Sequence, residues 1–208
     1  RDVERSRGLG DVYKRQAARA LHEEKIHETV WTFRGSLDKR ERTGDDVMKR
    51  GIIFDMDGTL WDSTEICAKA WTDVIHQETS LSLTINASTL KGLFGRLLPD
   101  IASVLFADYP KEEQLRLIDR CCQEEHKALL AQCAPLYPDL ERTLQQLKEN
   151  YRLFIVSNCQ AGYIEVFLET SGLGSYFEGH LCPGDTGNAK ADNICKIIQE
   201  YHLKAPVY

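Results

Sequence analysis

The 208-residue sequence has no run approaching the ~18 apolar residues that cross a bilayer, and no apolar core near its amino end of the kind a secretory signal needs. Basic residues are dispersed and the net charge is -6, so there is no electrostatic footprint for nucleic acid. The seven cysteines, at 67, 121, 122, 133, 159, 182 and 195, form no CxxC pair and no Cys/His spacing of the zinc type. Their odd number also argues against a disulfide framework. Methionine is scarce, with two in all and none before Met48. No internal repeat or low-complexity segment is present. These absences predict a soluble, cytoplasmic protein with reduced thiols, a small-molecule partner, and no membrane or nucleic-acid partner. The sequence carries no signal of oligomeric state.

A chain of this length supports one good core, or a core with a small satellite. Residues 1–47 mix acids and bases almost evenly and are poor in apolar residues. They are expected to be an N-terminal extension outside the domain, with translation beginning at Met48. A helix over 17–30 is possible, and residues 1–16 look like a translated sequencing adaptor. From Gly51 the run Gly51-Ile52-Ile53-Phe54 predicts a buried first strand. Residues 63–134 then read as a helical insert: Ile66, Ala70, Val74 and Ile75 share one helix face, and Leu115, Ile118, Cys122 and Leu129 another.

After Pro138, Leu140, Leu144 and Leu147 are in helical register, with Asp139 placed to cap the first turn. A buried strand follows over 152–157, then a helix from Ala161 that stops at Gly172. A weaker strand covers 179–182, and Ile194, Ile197, Ile198 and Tyr201 mark a last helix. Residues 204–208 read as the approach to another strand. This alternation predicts an α/β fold, a Rossmann-like parallel sheet with helices on both faces, built from 48–62 and 135–208 and interrupted by the insert.

Where the first strand meets a glycine turn, Asp55 and Asp57 place two carboxylates two residues apart. In an open parallel sheet that is the carboxyl edge, where ligands bind. Strand alternation sends the two side chains to opposite faces, but a turn at Gly58 can return Asp57 to the same site. Neighbouring carboxylates do not both ionise cheaply, so one suits a nucleophile and the other a proton carrier. Turn-capping aspartates are the plain alternative. A calcium loop is not: its sixth residue would be Gly58 and its first Ile53, which has no oxygen ligand to offer.

The run Asp55-Met56-Asp57-Gly58-Thr59-Leu60 resembles the first signature of the haloacid dehalogenase superfamily, whose phosphatases share an Asp-x-Asp-Gly-Thr pattern. Ser157-Asn158, closing an apolar strand, matches the second signature, and Lys190 in Asn188-Ala189-Lys190-Ala191-Asp192 the third. The similarity covers about residues 48–208. It implies a magnesium-dependent phosphatase acting on a small phosphate ester. In such an enzyme Asp55 is the nucleophile, Asp57 the acid and base, and Thr59, Ser157, Asn158 and Lys190 bind phosphate. Magnesium is held by the Asp55 carboxylate and the Asp57 main-chain carbonyl.

The insert occupies the position of the helical cap of the branch that includes phosphoglycolate phosphatases and beta-phosphoglucomutases. Within it Lys91, Gly92 and Arg96 belong to a glycine- and cation-bearing loop suited to touching substrate. A phosphosugar mutase and, from another class, a receiver-like or non-catalytic phosphate-binding regulator are the alternatives. The fourth signature of the family, a source of further metal carboxylates, has no counterpart before Tyr208. Weak magnesium binding and an inactive chain are therefore expected of the sequence as it stands.

Overall fold

The computed structural model describes residues 50–208; the expectations for 1–47 and the start at Met48 lie outside the described residues. The first strand, β1 (Arg50–Phe54), leads to four helices, α1 (Thr64–Glu78), α2 (Ala87–Leu93), α3 (Leu98–Leu105) and α4 (Lys111–Ala131). Then come α5 (Leu140–Lys148), β2 (Tyr151–Val156), α6 (Tyr163–Ser171) and a 3-10 turn (Gly174–Tyr176). β3 (Gly179–Leu181), the single turn α7 (Pro183–Thr186) and α8 (Lys190–Glu200) complete the order.

The three strands form a parallel sheet in the order β1-β2-β3, with Ile52 opposite Leu153 and Phe154 opposite Gly179. On the far side of β1, the Tyr208 amide donates to the Gly51 carbonyl at 3.1 Å and the Ile53 amide to the Tyr208 carbonyl at 2.8 Å. That is the bonding pattern of a parallel ladder.

β2 shows why the sheet is covered on both faces. Its residues from Leu153 to Val156 are fully buried, so the strand reads as an unbroken apolar run. Alternation divides them: Leu153 and Ile155 join the main core, while Phe154 and Val156 pack with Ile197 of α8 and Leu203.

Arg152, on the same strand, is buried. Its guanidinium reaches Glu178 at 2.8 Å, donates to the Tyr201 carbonyl at 2.7 Å and lies against the Phe154 and Tyr201 rings. A charge in this position tolerates burial only while its partner stands. Glu178→Ala is expected to cost about 3 kcal/mol, read as a lowered denaturant midpoint. A loss below about 0.5 kcal/mol would show that the bond to Tyr201 suffices.

Between β1 and β2 lie helices alone, as the apolar spacing predicts. α4 buries Leu117, Ile118, Cys121, Cys122, Glu125 and Leu129 along one stripe and packs against α1, α3 and α6. The two ends of the insert are stitched together: the Asp62 amide donates to the Pro135 carbonyl at 2.9 Å and the Tyr137 amide to the Leu60 carbonyl at 3.3 Å. One continuous apolar core runs from Ile155 and Phe167 beside the sheet, through Trp61 and Tyr163, to Trp71 and Leu129 in the insert. None of the described helices is long and apolar enough to cross a membrane.

One local expectation is corrected. Asp139 does precede α5, but its backbone is left-handed (φ 58°, ψ 15°) and its side chain makes no capping bond. A capping side chain works from extended backbone, so here the carboxylate turns instead to Arg142, 3.5 Å away.

Candidate active site

β1 delivers Asp55 to the carboxyl edge of the sheet, where its side chain is 44% exposed. Both of its contacts among the described residues fall on Oδ1: the Met56 amide at 2.9 Å and the Lys190 ammonium at 2.8 Å. Lys190 is the first residue of α8, where a helix dipole disfavours a cation. The Asp55 carboxylate offsets that cost and fixes the ammonium at the sheet rim.

The turn at Gly58 (φ 76°) reverses the chain, so Asp57 returns to the same cleft as Asp55. Asp57 Oδ1 accepts three hydrogen bonds of 3.0 Å each, from the Trp61 indole, the Ser63 hydroxyl and the Tyr163 phenol. Burial pushes its pKa up to about 6 against the pull of these three donors, and the nearby Asp55 charge adds to the rise. With the donors on Oδ1, Oδ2 is the oxygen left to carry a proton.

The cleft has a volume of about 300 Å³ and lies between the sheet edge and the helical insert. Ser157 and Asn158, at the end of β2, line it together with Asp55 and Asp57. Asn158 also spans the cleft mouth, its amide donating to the Gly95 carbonyl of the insert at 2.9 Å. Lys190 is not among the lining residues and meets the cleft only through its ion pair with Asp55. Lys91 and Arg96 line the insert side, and Lys91 pairs with Asp62 at 2.9 Å.

Two of the expected site residues lie outside the cleft lining, and one expected loop begins as helix. Thr59 is exposed and lies outside the cleft lining, because Leu60 next to it turns into the core. Gly92 faces solvent away from the cleft, since it and Lys91 belong to α2 rather than to a loop. The irregular stretch begins only at Phe94.

Several lining groups carry no local signal in the chain. Glu125 of α4 is buried in the cleft wall and accepts from the Trp71 indole at 2.6 Å and the Gln160 amide at 2.5 Å. Burial raises its pKa to about 8, so it holds its proton at neutral pH. His126, beside it, stacks on Tyr163 and is kept neutral by burial, which lowers its pKa to about 4. Ser63 and Trp61 follow the aspartate motif closely enough to be sought. Tyr163, Glu125 and Gln160 reach the site only through the fold.

The sequence profile of the haloacid dehalogenase-like hydrolases matches residues 52–206. The chain belongs to that family. No curated protein matches it significantly. Among solved structures, this family member is similar to a predicted phosphatase from Clostridium acetobutylicum (21% identity, TM-score 0.61, 76% of this chain and 73% of that one). It is likewise similar to a predicted phosphoglycolate phosphatase from Haemophilus somnus 129PT (20%, 0.61, 77% and 74%). A beta-phosphoglucomutase from Clostridium difficile is comparable (18%, 0.60, 75% and 72%). At these identities the likeness is one of fold, and it fits a hydrolase built on a parallel sheet with a helical insert.

Proposed function

We propose that this hydrolase is a magnesium-dependent phosphatase that cleaves a small phosphorylated metabolite through an aspartyl phosphate on Asp55. The observation that carries this reading is the pairing of an exposed carboxylate, Asp55 on Lys190 at 2.8 Å, with a half-buried carboxyl, Asp57, held by three donors in the same cleft. The two groups have opposite environments, which suits nucleophilic and acid–base roles.

In this mechanism Asp55 Oδ2 attacks phosphorus in line as the bond to the leaving oxygen breaks. Asp57 gives that oxygen its proton. It then takes a proton from water, which attacks the aspartyl phosphate, releases inorganic phosphate and restores Asp55. Ser157, the amides of the turn after it and Lys190 meet the phosphoryl oxygens. Asn158 joins them on the phosphoryl oxygens, and Lys91 and Arg96 face the leaving group, on the insert side.

The oxygens present fit magnesium, which binds through one or two carboxylates plus substrate phosphate and keeps several waters. The Asp55 carboxylate and the Asp57 main-chain carbonyl would hold it, and it would neutralise phosphoryl charge. We place this chemistry in the cytoplasm, where thiols such as Cys159 beside the phosphate turn stay reduced.

The test is release of inorganic phosphate by the full natural chain from a panel of phosphorylated sugars, carboxylic acids and nucleotides, with and without magnesium. Metal-dependent release from one class, blocked by beryllium fluoride, is expected. No release from any member, with no effect of beryllium fluoride on the melting temperature, would overturn the proposal.

A further inference from the structure

Away from the cleft, Glu165 of α6, His180 of β3 and Asp185 of α7 bring one imidazole and two carboxylates to a single point. Their ligand atoms all lie within 4.8 Å of one another. We propose that these three residues bind a divalent transition-metal ion of the zinc class, in a site of their own that clamps three elements of the sheet edge. None of them lines the phosphate cleft.

The convergence follows from the local structure. Alternation along β3 sends Leu181 to the α8 side, where it packs against that smaller core, and His180 to the opposite side, toward α6. On α6 the residues around Glu165 point inward: Tyr163, Ile164, Val166 and Phe167 are buried, while Glu165 is half-buried at the margin nearest β3. The turn of α7 then lays Asp185 over the end of the strand. Its exposure gives an ion access from solvent.

The donor set selects the ion. Metal-to-ligand bonds of roughly 2.0–2.2 Å require donors about 3–4.3 Å apart, so a small inward movement completes the site. Magnesium and calcium prefer oxygen alone, whereas one imidazole with two carboxylates suits zinc and its neighbours. Three protein ligands leave a fourth position for water. The Cys182 thiol donates to Asp185 Oδ2 at 3.2 Å and so orients that carboxylate as an outer partner. Two carboxylates this close repel each other without a cation, and a protonated His180 bridging them is the competing arrangement.

The ion would hold the frame around the phosphate site without touching substrate. α6 carries Tyr163, which donates to Asp57. Next to Asp185, the Gly184 amide donates to the Cys159 carbonyl at 3.1 Å, and a Cβ on Gly184 would collide with the backbone of Gln160 and Ala161. The turn after Ser157 therefore rests directly on the proposed clamp.

The test is calorimetric titration of the chelator-treated protein with zinc chloride, comparing wild type with Glu165→Gln, His180→Gln and Asp185→Asn. Asp55→Asn is the control for binding in the phosphate cleft. One ion is expected in wild type and in Asp55→Asn, with affinity reduced about tenfold or more in each of the other three variants. A rise in melting temperature on adding zinc should vanish in the same three. Asp185 is exposed, so Asp185→Asn reports on the ion even if the other two variants fold poorly. Cobalt(II) should give a spectrum of nitrogen and oxygen ligation with no thiolate charge-transfer band. Equal affinity in all variants, no binding up to about 1 mM, or a thiolate band would overturn the site, the first two favouring a bridging imidazolium.

Discussion

In the full natural chain, Asp55→Asn is expected to lower phosphate release by about 10⁴-fold or more while leaving the melting temperature within a few degrees of wild type. The amide has the shape of the carboxylate but no charge and no nucleophilic oxygen, so the aspartyl phosphate cannot form. The Asp55 side chain is 44% exposed and Lys190 28%, so their ion pair contributes little to folding. Chemistry and stability therefore separate at this position. Initial rates with an activated aryl phosphate, beside thermal melts, measure both. Activity within tenfold of wild type would mean that another group attacks phosphorus, and the proposed reaction would fall.

Asp57→Asn is expected to change both properties at neutral pH, making the protein more stable and less active. The folded chain holds the Asp57 carboxyl at about 6, against an ordinary value of 3.8. A group whose folded pKa is raised binds its proton more tightly in the native state. Its contribution is present in full below about pH 4 and is lost as pH climbs to about 6. Above that, the ionised carboxylate costs the fold about 3 kcal/mol, at 1.36 kcal/mol per pKa unit. Asparagine keeps an Oδ1 acceptor for Trp61, Ser63 and Tyr163 and removes the charge. The variant should therefore melt higher than wild type above about pH 6 and no higher below about pH 4.

Its turnover should fall by about 10²- to 10⁴-fold with an alkyl phosphate, whose leaving oxygen needs a proton, and less with an aryl phosphate. The wild-type rate on the alkyl substrate should decline as pH rises through about 6. A stability difference that does not change with pH would show that Asp57 is not the group being protonated.

The parts of this site legible in the sequence are those fixed by chain-local rules. Asp55, Ser157 and Lys190 each sit where an apolar strand or helix register begins or ends, so their positions follow from periodicity and motif order. Asp57 was legible through the glycine beside it. The groups that set its pKa were less so: Tyr163 lies 106 residues away and arrives by the packing of α6 against α4 and the chain after β1. Glu125 reads in sequence as a surface position of a charged helix, and only burial against Trp71 and Gln160 reveals it as a cleft residue. Thr59 and Gly92 lie off the cleft lining because motif or loop membership does not fix which way a residue faces. The facing of a turn or helix residue depends on which neighbour takes the core, and here Leu60 and Leu93 did. Asp139 failed because composition names a good cap but not its backbone angles.

The two hydrogen-bonded crossings at 60–62 and 135–137 bring the ends of the insert side by side, a join that makes an inserted segment cheap to accommodate. The shared core has the opposite effect. Because Trp61 and Tyr163 wedge between sheet and insert in one unbroken apolar mass, a foreign insert grafted at those crossings would meet a mismatched interface. On the proposed reading, in which Lys91 and Arg96 of the insert face the leaving group, substrate preference is not a detachable cassette: retargeting it would call for substitutions within the insert made together with the aromatic residues that it rests on.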